Sequence, residues 1–465
     1  MKNRLISFIL AFTVLLVFQA VPVYGAQAGS AALDTEAPKT VCEADILIDS
    51  QSGQVLYEKN ADKLLTPASM TKMMTALLTI EHYKGDLDHK ITVPKEAVGI
   101  TGNSLNIKEG EVFTVKQLLY GLMLHSSNDV AVCLAINVGG SVSGFADMMN
   151  ARAKKVGAVH THFINPNGLT DSHTHITTAR DMSKIAAECM KNSTFRKIVG
   201  TSTYTIPATN KSKERHVKST NMLLRGKKFK VKVNGETRYA KYKYATGIKT
   251  GLMNEAGYCF CGSATKNGTK LISVSMKGAE DQDRFADAIS MFEYGFNNFH
   301  TEELIAKGAS AGHVWIKYGH FTRVDTVVTD GAYVTLTSNE ASDMATKKIV
   351  MKKGLTAPLS KGTKVGTVKL YENGEKVGTA DVVLSKSVKK GGPWTAIYIS
   401  DWTFIGGIII IILFLILFIY FRKRGKRRRR KRDERMARMR EERALEIAKE
   451  RARSAKRSSD RDWPF

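Results

Sequence analysis

Ser69 and Lys72 stand three residues apart just after Pro67. On a helix that spacing puts both side chains on one face, one turn apart. A serine hydroxyl is a weak nucleophile and needs an adjacent base. A lysine can be that base when burial or a neighbouring cation lowers its pKa. With Ser69 in the first helical turn, backbone N–H groups and the positive end of the helix dipole would face an oxyanion formed on an attacked carbonyl. The chemistry would be acyl transfer through a serine ester. Taken alone the signal is weak, since a Ser-x-x-Lys spacing should arise by chance about twice in a chain of this composition.

Two other short segments could complete such a site. In Ser126-Ser127-Asn128, Ser126 could relay a proton and Asn128 could hold a substrate amide or orient Lys72. In Lys249-Thr250-Gly251, lysine offers a fixed charge and threonine a hydroxyl for a carboxylate. Gly251 leaves room for a substrate backbone to pair along a strand edge. Individually, the first also reads as an ordinary capping loop and the second as an ordinary strand end.

The elements that must position these residues follow from the hydrophobic pattern. Met70, Met73, Met74, Leu77 and Leu78 recur at helical spacing after Pro67, which predicts a largely buried helix over Met70 to Glu81. Val115 to Leu124 and Val130 to Val138 are two more apolar helical runs, with His125 to Asp129 as the polar break between them. Asp181 to Lys191 and Arg284 to Asn297 also read as helices. Strands are expected at Ala44 to Asp49, Gln54 to Lys59, Thr246 to Thr250, Gly257 to Thr265 and Lys270 to Lys277, with Asn267-Gly268 as a hairpin turn. This interleaving predicts an α+β domain, an antiparallel sheet backed by helices, over residues 41–300. From residue 301 to 390 helical periodicity disappears. Short alternating stretches split by turns such as Glu372-Asn373-Gly374-Glu375 predict a small all-β domain.

The two ends have a different character. Lys2 and Arg4 precede an apolar run and then small residues near Gly25 to Ala28, the layout of a secretory signal over residues 1–28, with an uncleaved anchor as the competing reading. Residues 29–40 read as a linker. Phe404 to Phe421 is uninterrupted apolar sequence, long enough to span a bilayer as a helix, after a juxtamembrane linker over 391–403. Arg422 opens a basic tail to residue 465, and the positive-inside rule puts that tail in the cytoplasm and the domains outside. The formal charge of +26 is concentrated: the tail carries a net +12 and Lys211 to Lys243 a net +10. Nucleic-acid binding is therefore a poor inference, whereas the tail suits anionic lipid headgroups. The five cysteines are odd in number, which argues against a fully paired disulfide framework, and they read as small core residues.

In this order and these contexts, Ser-x-x-Lys, Ser-x-Asn and Lys-Thr-Gly form the signature of penicillin-binding proteins and class A β-lactamases. Across roughly residues 40 to 390 the chain resembles the low-molecular-weight penicillin-binding proteins of the D-alanyl-D-alanine carboxypeptidase family, peptidase family S11. The matching segments are Pro67 to Lys72, Ser126 to Asp129, Asn165-Pro166-Asn167-Gly168-Leu169, Ala179 to Met182, and Gly247 to Gly251 followed by Glu255 to Tyr258. Ala357-Pro358-Leu359 with Lys361-Gly362 resembles the family's C-terminal domain.

The resemblance implies a β-lactamase/transpeptidase-like catalytic domain in which Ser69 is acylated, Lys72 is its base, and Ser126 and Asn128 form the second catalytic element. Lys249 and Thr250, with Arg284, would hold the substrate carboxylate. Gly251 and Leu252 would line the substrate strand, with the N–H groups of Ser69 and Leu252 as oxyanion hole. Peptidoglycan stem peptides are the implied substrates and β-lactams the implied inhibitors, with no cofactor or metal. Leu252 stands where several relatives carry histidine or threonine, and Thr220 where many carry arginine. Many relatives attach by an amphipathic C-terminal helix, whereas this chain has an apolar span. A β-lactamase would be expected to carry a Glu-x-x-x-Asn element, and Asn165 to Leu169 supplies no such glutamate. A wall-binding scaffold using the Lys211 to Lys243 segment is the non-enzymatic alternative.

Overall fold

The computed structural model describes residues 35–459, so the expected signal over residues 1–28 and the first half of the linker lie outside the described residues. The chain forms two compact units. The first comprises residues up to Leu304 together with Tyr333–Thr346 and Tyr371–Gly378, and the second holds Ile305–Ala332, Lys347–Leu370 and the chain from Thr379 onward.

The first unit contains strands β1 (Ala44–Asp49), β2 (Val55–Lys59), β3 (Lys230–Val233), β4 (Glu236–Tyr239), β5 (Ala245–Met253), β6 (Gly257–Lys266) and β7 (Thr269–Gly278). Five of them make an antiparallel sheet in the order β2-β1-β7-β6-β5, which leaves β5 at an edge. Among its helices are α1 (Lys72–His82), α2 (Val115–Leu124), α3 (Asn128–Gly139), α4 (Ala179–Lys191) and α5 (Asp283–Asn298). Both sheet faces are covered, which is why β1 is buried along its whole length. Ile46 and Ile48 point into one apolar cluster with Met70, Met73 and Leu77 of the α1 region, whereas Leu47 packs with Phe285 and Phe292 of α5. Each such side chain stabilises the unit by roughly 1.5–3 kcal/mol. The Asn267-Gly268 turn joins β6 to β7 with both residues at positive φ, as the dipeptide predicts.

One difference from the sequence expectation affects the site. The helix expected from Met70 begins at Lys72, and Ser69 lies in a preceding 3-10 turn, Ala68–Thr71. Ala68 has a φ of +47°, which no α-helix accommodates, so the chain turns tightly before the helix starts. The sequence reading also passes over helices Val142–Lys155 and Ser193–Val199 and the β3–β4 hairpin, which turns at Asn234-Gly235.

C-terminal to the first sheet, Ala345–Met351, Lys364–Glu372, Glu375–Leu384, Arg323–Val328, Ser310–Lys317 and Leu355–Thr356 form a second sheet in that order. Its core is small and mostly β-branched, with Val314, Ile316, Val324, Val365 and Val382 buried beside Leu384. Asn373-Gly374 turns with both residues at positive φ. A helix, α6, then runs from Asp401 to Ser459, so the basic tail is helical through Ser459 and the last residues of the expected 391–403 linker belong to the helix. Its apolar stretch exposes Ile408 to Phe421 and is long enough to cross a bilayer.

The loop Asn165–Leu169 braces the 3-10 turn. Asn165 Oδ1 accepts from the N–H groups of Asn167 and Gly168, and its Nδ2 donates to Leu169 O. Gly168 has a φ of +80°, and a Cβ there would lie 1.9 Å from Ala68 O and 2.8 Å from Thr71 Oγ1. Gly168→Ala therefore meets both a strained φ and a backbone clash. Its expected effect is a fall of about 5 °C or more in the melting temperature of the first unit. Differential scanning fluorimetry showing an unchanged transition would mean that the loop is not a brace.

Candidate active site

Ser69 is partly exposed at the N-terminal end of α1, whereas Lys72, one turn on, is fully buried. The 3-10 turn that carries Ser69 is locked from behind. His175 Nδ1 accepts from the Ile164 N–H at 3.1 Å, so its Nε2 carries the hydrogen and donates to Thr71 Oγ1 at 2.9 Å. The Thr71 hydroxyl in turn donates to Ala68 O at 2.8 Å. Burial pushes the His175 pKa down to about 4, which keeps this relay neutral at physiological pH.

Lys72 Nζ meets three acceptors: Ser69 Oγ at 2.8 Å, Asn128 Oδ1 at 2.7 Å and Asn167 O at 2.9 Å. Asn128 is oriented for this contact because its Nδ2 donates to Thr101 O and its backbone N–H to Asn103 O. Asn167 is held by Thr75 of α1, whose hydroxyl donates to the neighbouring Pro166 O at 2.6 Å. Burial first, and the charge of Lys249 second, hold the Lys72 pKa well below the ordinary lysine value, while Asp129 opposes them. Asp129 is engaged elsewhere, accepting from Ser104 Oγ and from the N–H groups of Leu105 and Ile107.

Ser126 is buried with a φ of +63°, an uncommon conformation for a residue with a side chain. Its hydroxyl makes no hydrogen bond among the described residues. Ser127 anchors the break between α2 and α3, donating from Oγ to Gly121 O.

The third motif lies on the edge strand β5. Lys249 is buried and donates to Thr250 O at 2.9 Å. Desolvation, with a smaller contribution from Arg284, pushes its pKa down to about 7. Thr250 Oγ1 pairs with Thr220 Oγ1 at 2.6 Å, so the threonine standing where many relatives have arginine touches the motif directly. Gly251 lets the strand approach the nucleophile turn, since a Cβ there would lie 3.1 Å from Pro67 O and 3.2 Å from Ala68 Cβ. Leu252, 55% exposed, faces outward beyond it.

Arg284 lies beneath this strand. Its Nη1 donates to Gly251 O at 2.6 Å and Cys259 O at 3.0 Å, and its Nη2 is paired with Asp281. The guanidinium also sits against the rings of Tyr258 and Phe285. Its Nε is buried without a hydrogen-bond partner among the described residues. All five cysteines are free and buried, as small core residues are.

The structure thus joins Ser69, Lys72 and Asn128 by direct hydrogen bonds and brings Gly251 against the Ser69 turn. Sequence reasoning did not single out the Asn167 carbonyl or the His175–Thr71 relay. A backbone acceptor leaves no side-chain signal, although Asn165 to Leu169 stood out as a segment that resembles the family. His175 is one of eleven histidines and becomes distinctive only by its burial.

Residues 31–280 match the D-alanyl-D-alanine carboxypeptidase family, and residues 299–390 match the C-terminal domain of penicillin-binding protein 5. The chain is 31% identical to D-alanyl-D-alanine carboxypeptidase DacF of Bacillus subtilis, over 77% of this chain and 89% of the relative. It is 30% identical to D-alanyl-D-alanine carboxypeptidase DacC of Escherichia coli, over 77% and 86%. The crystal structure of penicillin-binding protein 5 from Haemophilus influenzae superposes with a TM-score of 0.59 at 26% identity, covering 77% of this chain and all of that one. With its Ser69–Lys72–Asn128 cluster at the foot of an edge strand, this chain belongs to the peptidase S11 family of D-alanyl-D-alanine carboxypeptidases, the low-molecular-weight penicillin-binding proteins.

Proposed function

We propose that this serine peptidase removes the terminal D-alanine from peptidoglycan pentapeptides through an acyl-enzyme on Ser69, and that penicillin acylates the same residue. The observation that carries the residue assignment is the 2.8 Å contact between Ser69 Oγ and a fully buried Lys72 Nζ. In its neutral form the Lys72 amine takes the Ser69 proton as Oγ adds to the penultimate D-alanine carbonyl. The N–H groups of Ser69 and Leu252 stabilise the oxyanion. Collapse of the adduct breaks the C–N bond, and the proton passes through Ser126 to the nitrogen of the departing D-alanine. Water then adds to the ester as Lys72 takes one of its protons, the C–O bond to Ser69 breaks as Lys72 returns that proton to Oγ, and the shortened peptide leaves as an acid that ionises to the carboxylate. Asn128 keeps Lys72 in place throughout.

Lys249 and Thr250 bind the terminal carboxylate, and the substrate backbone runs along the free edge of β5 past Gly251. Arg284 supports this binding from below. It fixes the strand through the Gly251 carbonyl, and its charge adds to the field of Lys249. Residues 41–300 are the catalytic domain and 301–390 the all-β domain. The chain crosses the cell membrane once through 404–421, with both domains outside after export by the 1–28 signal, and the basic 422–465 tail lies on anionic lipid in the cytoplasm.

Exposure of the protein to penicillin should add the mass of one β-lactam to Ser69, because the opened ring stays tethered and obstructs water. Ser69→Ala should lose both the adduct and D-alanine release while keeping its thermal transition. An adduct that survives this change would remove Ser69 from its role.

The two lysines give kcat/KM for the pentapeptide a bell-shaped pH profile. Burial first and the Lys249 charge second hold the Lys72 pKa well below the ordinary lysine value, and activity rises with pH as Lys72 loses its proton. Activity falls as Lys249, with its pKa of about 7 in the free enzyme, loses the charge that holds the carboxylate. Guanidinium does not deprotonate in proteins, so Lys249→Arg should abolish the falling limb and leave the rising one. A profile that is flat between about pH 6 and 9 would contradict the assignment of both lysines.

A further inference from the structure

The β3–β4 hairpin is held stiffly and loaded with unpaired charge. Val231 and Val233 of β3 are buried in the α5 cluster, and Arg238 of β4 is paired with Glu293 of α5 at 2.7 Å. The alternate residues Lys230 and Lys232 face solvent, about 7 Å apart as i and i+2 on a strand. Their cross-strand partners are Tyr239 and Thr237, so one outward face presents two lysines, a threonine and a tyrosine that is 56% exposed. Lys227 and Lys228 lead into the hairpin, and Lys241 and Lys243 lead out of it into β5, all four exposed. The arginines Arg215 and Arg238 of this segment have carboxylate partners, in Glu111 and Glu293, whereas none of these six lysines is ion-paired among the described residues. Lys232 also lines a groove of about 550 Å³ with Lys39, Asn234, Ser290 and Asn297, which Glu36 and the Arg238-bound Glu293 border.

Six like charges on a braced hairpin create a positive potential that a single counter-ion does not neutralise. A polymer with regularly spaced anions does so by displacing the condensed counter-ions of both partners. The spacing of Lys230 and Lys232 is comparable to that between successive phosphates of an extended phosphodiester chain. A bilayer surface fits this face less well, because an interfacial segment needs a broad apolar side and Tyr239 is the lone aromatic here. We infer that the β3–β4 hairpin and its flanking lysines, which lead into β5, dock an extended phosphodiester polyanion of the cell wall, holding the catalytic unit at its polymeric substrate. The inference rests on the reading that this unit faces the wall.

Lysine acetylation footprinting by mass spectrometry tests it site by site, so that the basic tail does not mask the hairpin. The full chain in detergent micelles is labelled with and without poly(glycerol phosphate) at about 0.15 M salt. Labelling of Lys230 and Lys232 should fall at least about threefold with the polymer, and the protection should fade as salt is raised. Dextran of similar length should protect nothing. Lys230→Glu combined with Lys232→Glu should remove the protection of Lys227 and Lys228 and leave cleavage of a short soluble pentapeptide unchanged. The inference is overturned by unchanged labelling with the polymer, by equal protection from dextran or from phosphatidylglycerol vesicles, or by protection confined to the tail beyond Arg422. Failure of the unmodified protein to cleave the pentapeptide would instead sink the hydrolase reading while leaving the footprint to be judged on its own.

Discussion

A protonated amine taken fully out of water is costly unless an anion accompanies it, and the catalytic unit buries two lysines without giving either a carboxylate partner. Lys72 has the oxygens of Ser69, Asn128 and Asn167, which suit a neutral amine as well as a cation, and Lys249 has a single carbonyl. Burial makes both charges expensive, the charge of Lys249 adds to the burden on Lys72, and Arg284 adds to that on Lys249. On the proposed reading, a carboxylate-bearing substrate would resolve the conflict at Lys249, and deprotonation would resolve it at Lys72. The chemistry of the site follows from that asymmetry.

Much of the fold exists to keep this arrangement from relaxing. The 3-10 turn at Ser69 is fixed from one side by His175 through Thr71 and from another by the Asn165–Leu169 loop, whose Gly168 leaves no room for a side chain. On the third side Gly251 allows β5 to press against Pro67 and Ala68. Arg284 fixes the carbonyl of that same glycine, so the helix behind the sheet reaches the cleft through one backbone atom. Order in the first turn of α1 is thus supplied by distant elements rather than by local propensity.

The side chains named as candidates from the sequence meet where the motifs place them: Ser69, Lys72 and Asn128 share one hydrogen-bonded cluster, and the motif of Lys249 lies on the strand expected for it. The apolar period also disclosed α1, α2 and α3 to within a few residues, because these helices are buried and their pattern is dense. What was not legible has a common cause. The Asn167 and Gly251 carbonyls act through the backbone, and any residue could supply such an oxygen. The 3-10 turn and an α-helix share nearly the same side-chain spacing over one turn, so only the positive φ of Ala68 separates them. The β3–β4 hairpin was hidden by its lysines, whose charge masks the alternating valines beneath. The extension of α6 to Ser459 has no apolar stripe to announce it and shows only as an Arg, Glu and Ala composition.

The central claim is that the base is Lys72 in its neutral form, and the most direct measurement is the rate of Ser69 acylation by a fluorescent penicillin in Lys72→Arg, followed by stopped flow across pH. Arginine keeps the charge and nearly the length but has no accessible neutral form. The account predicts a folded protein that acylates at least about a hundredfold more slowly, with the rise of rate with pH abolished. Acylation at close to the unmodified rate, with the pH dependence intact, would contradict it and transfer the proton from Ser69 to a route through Ser126.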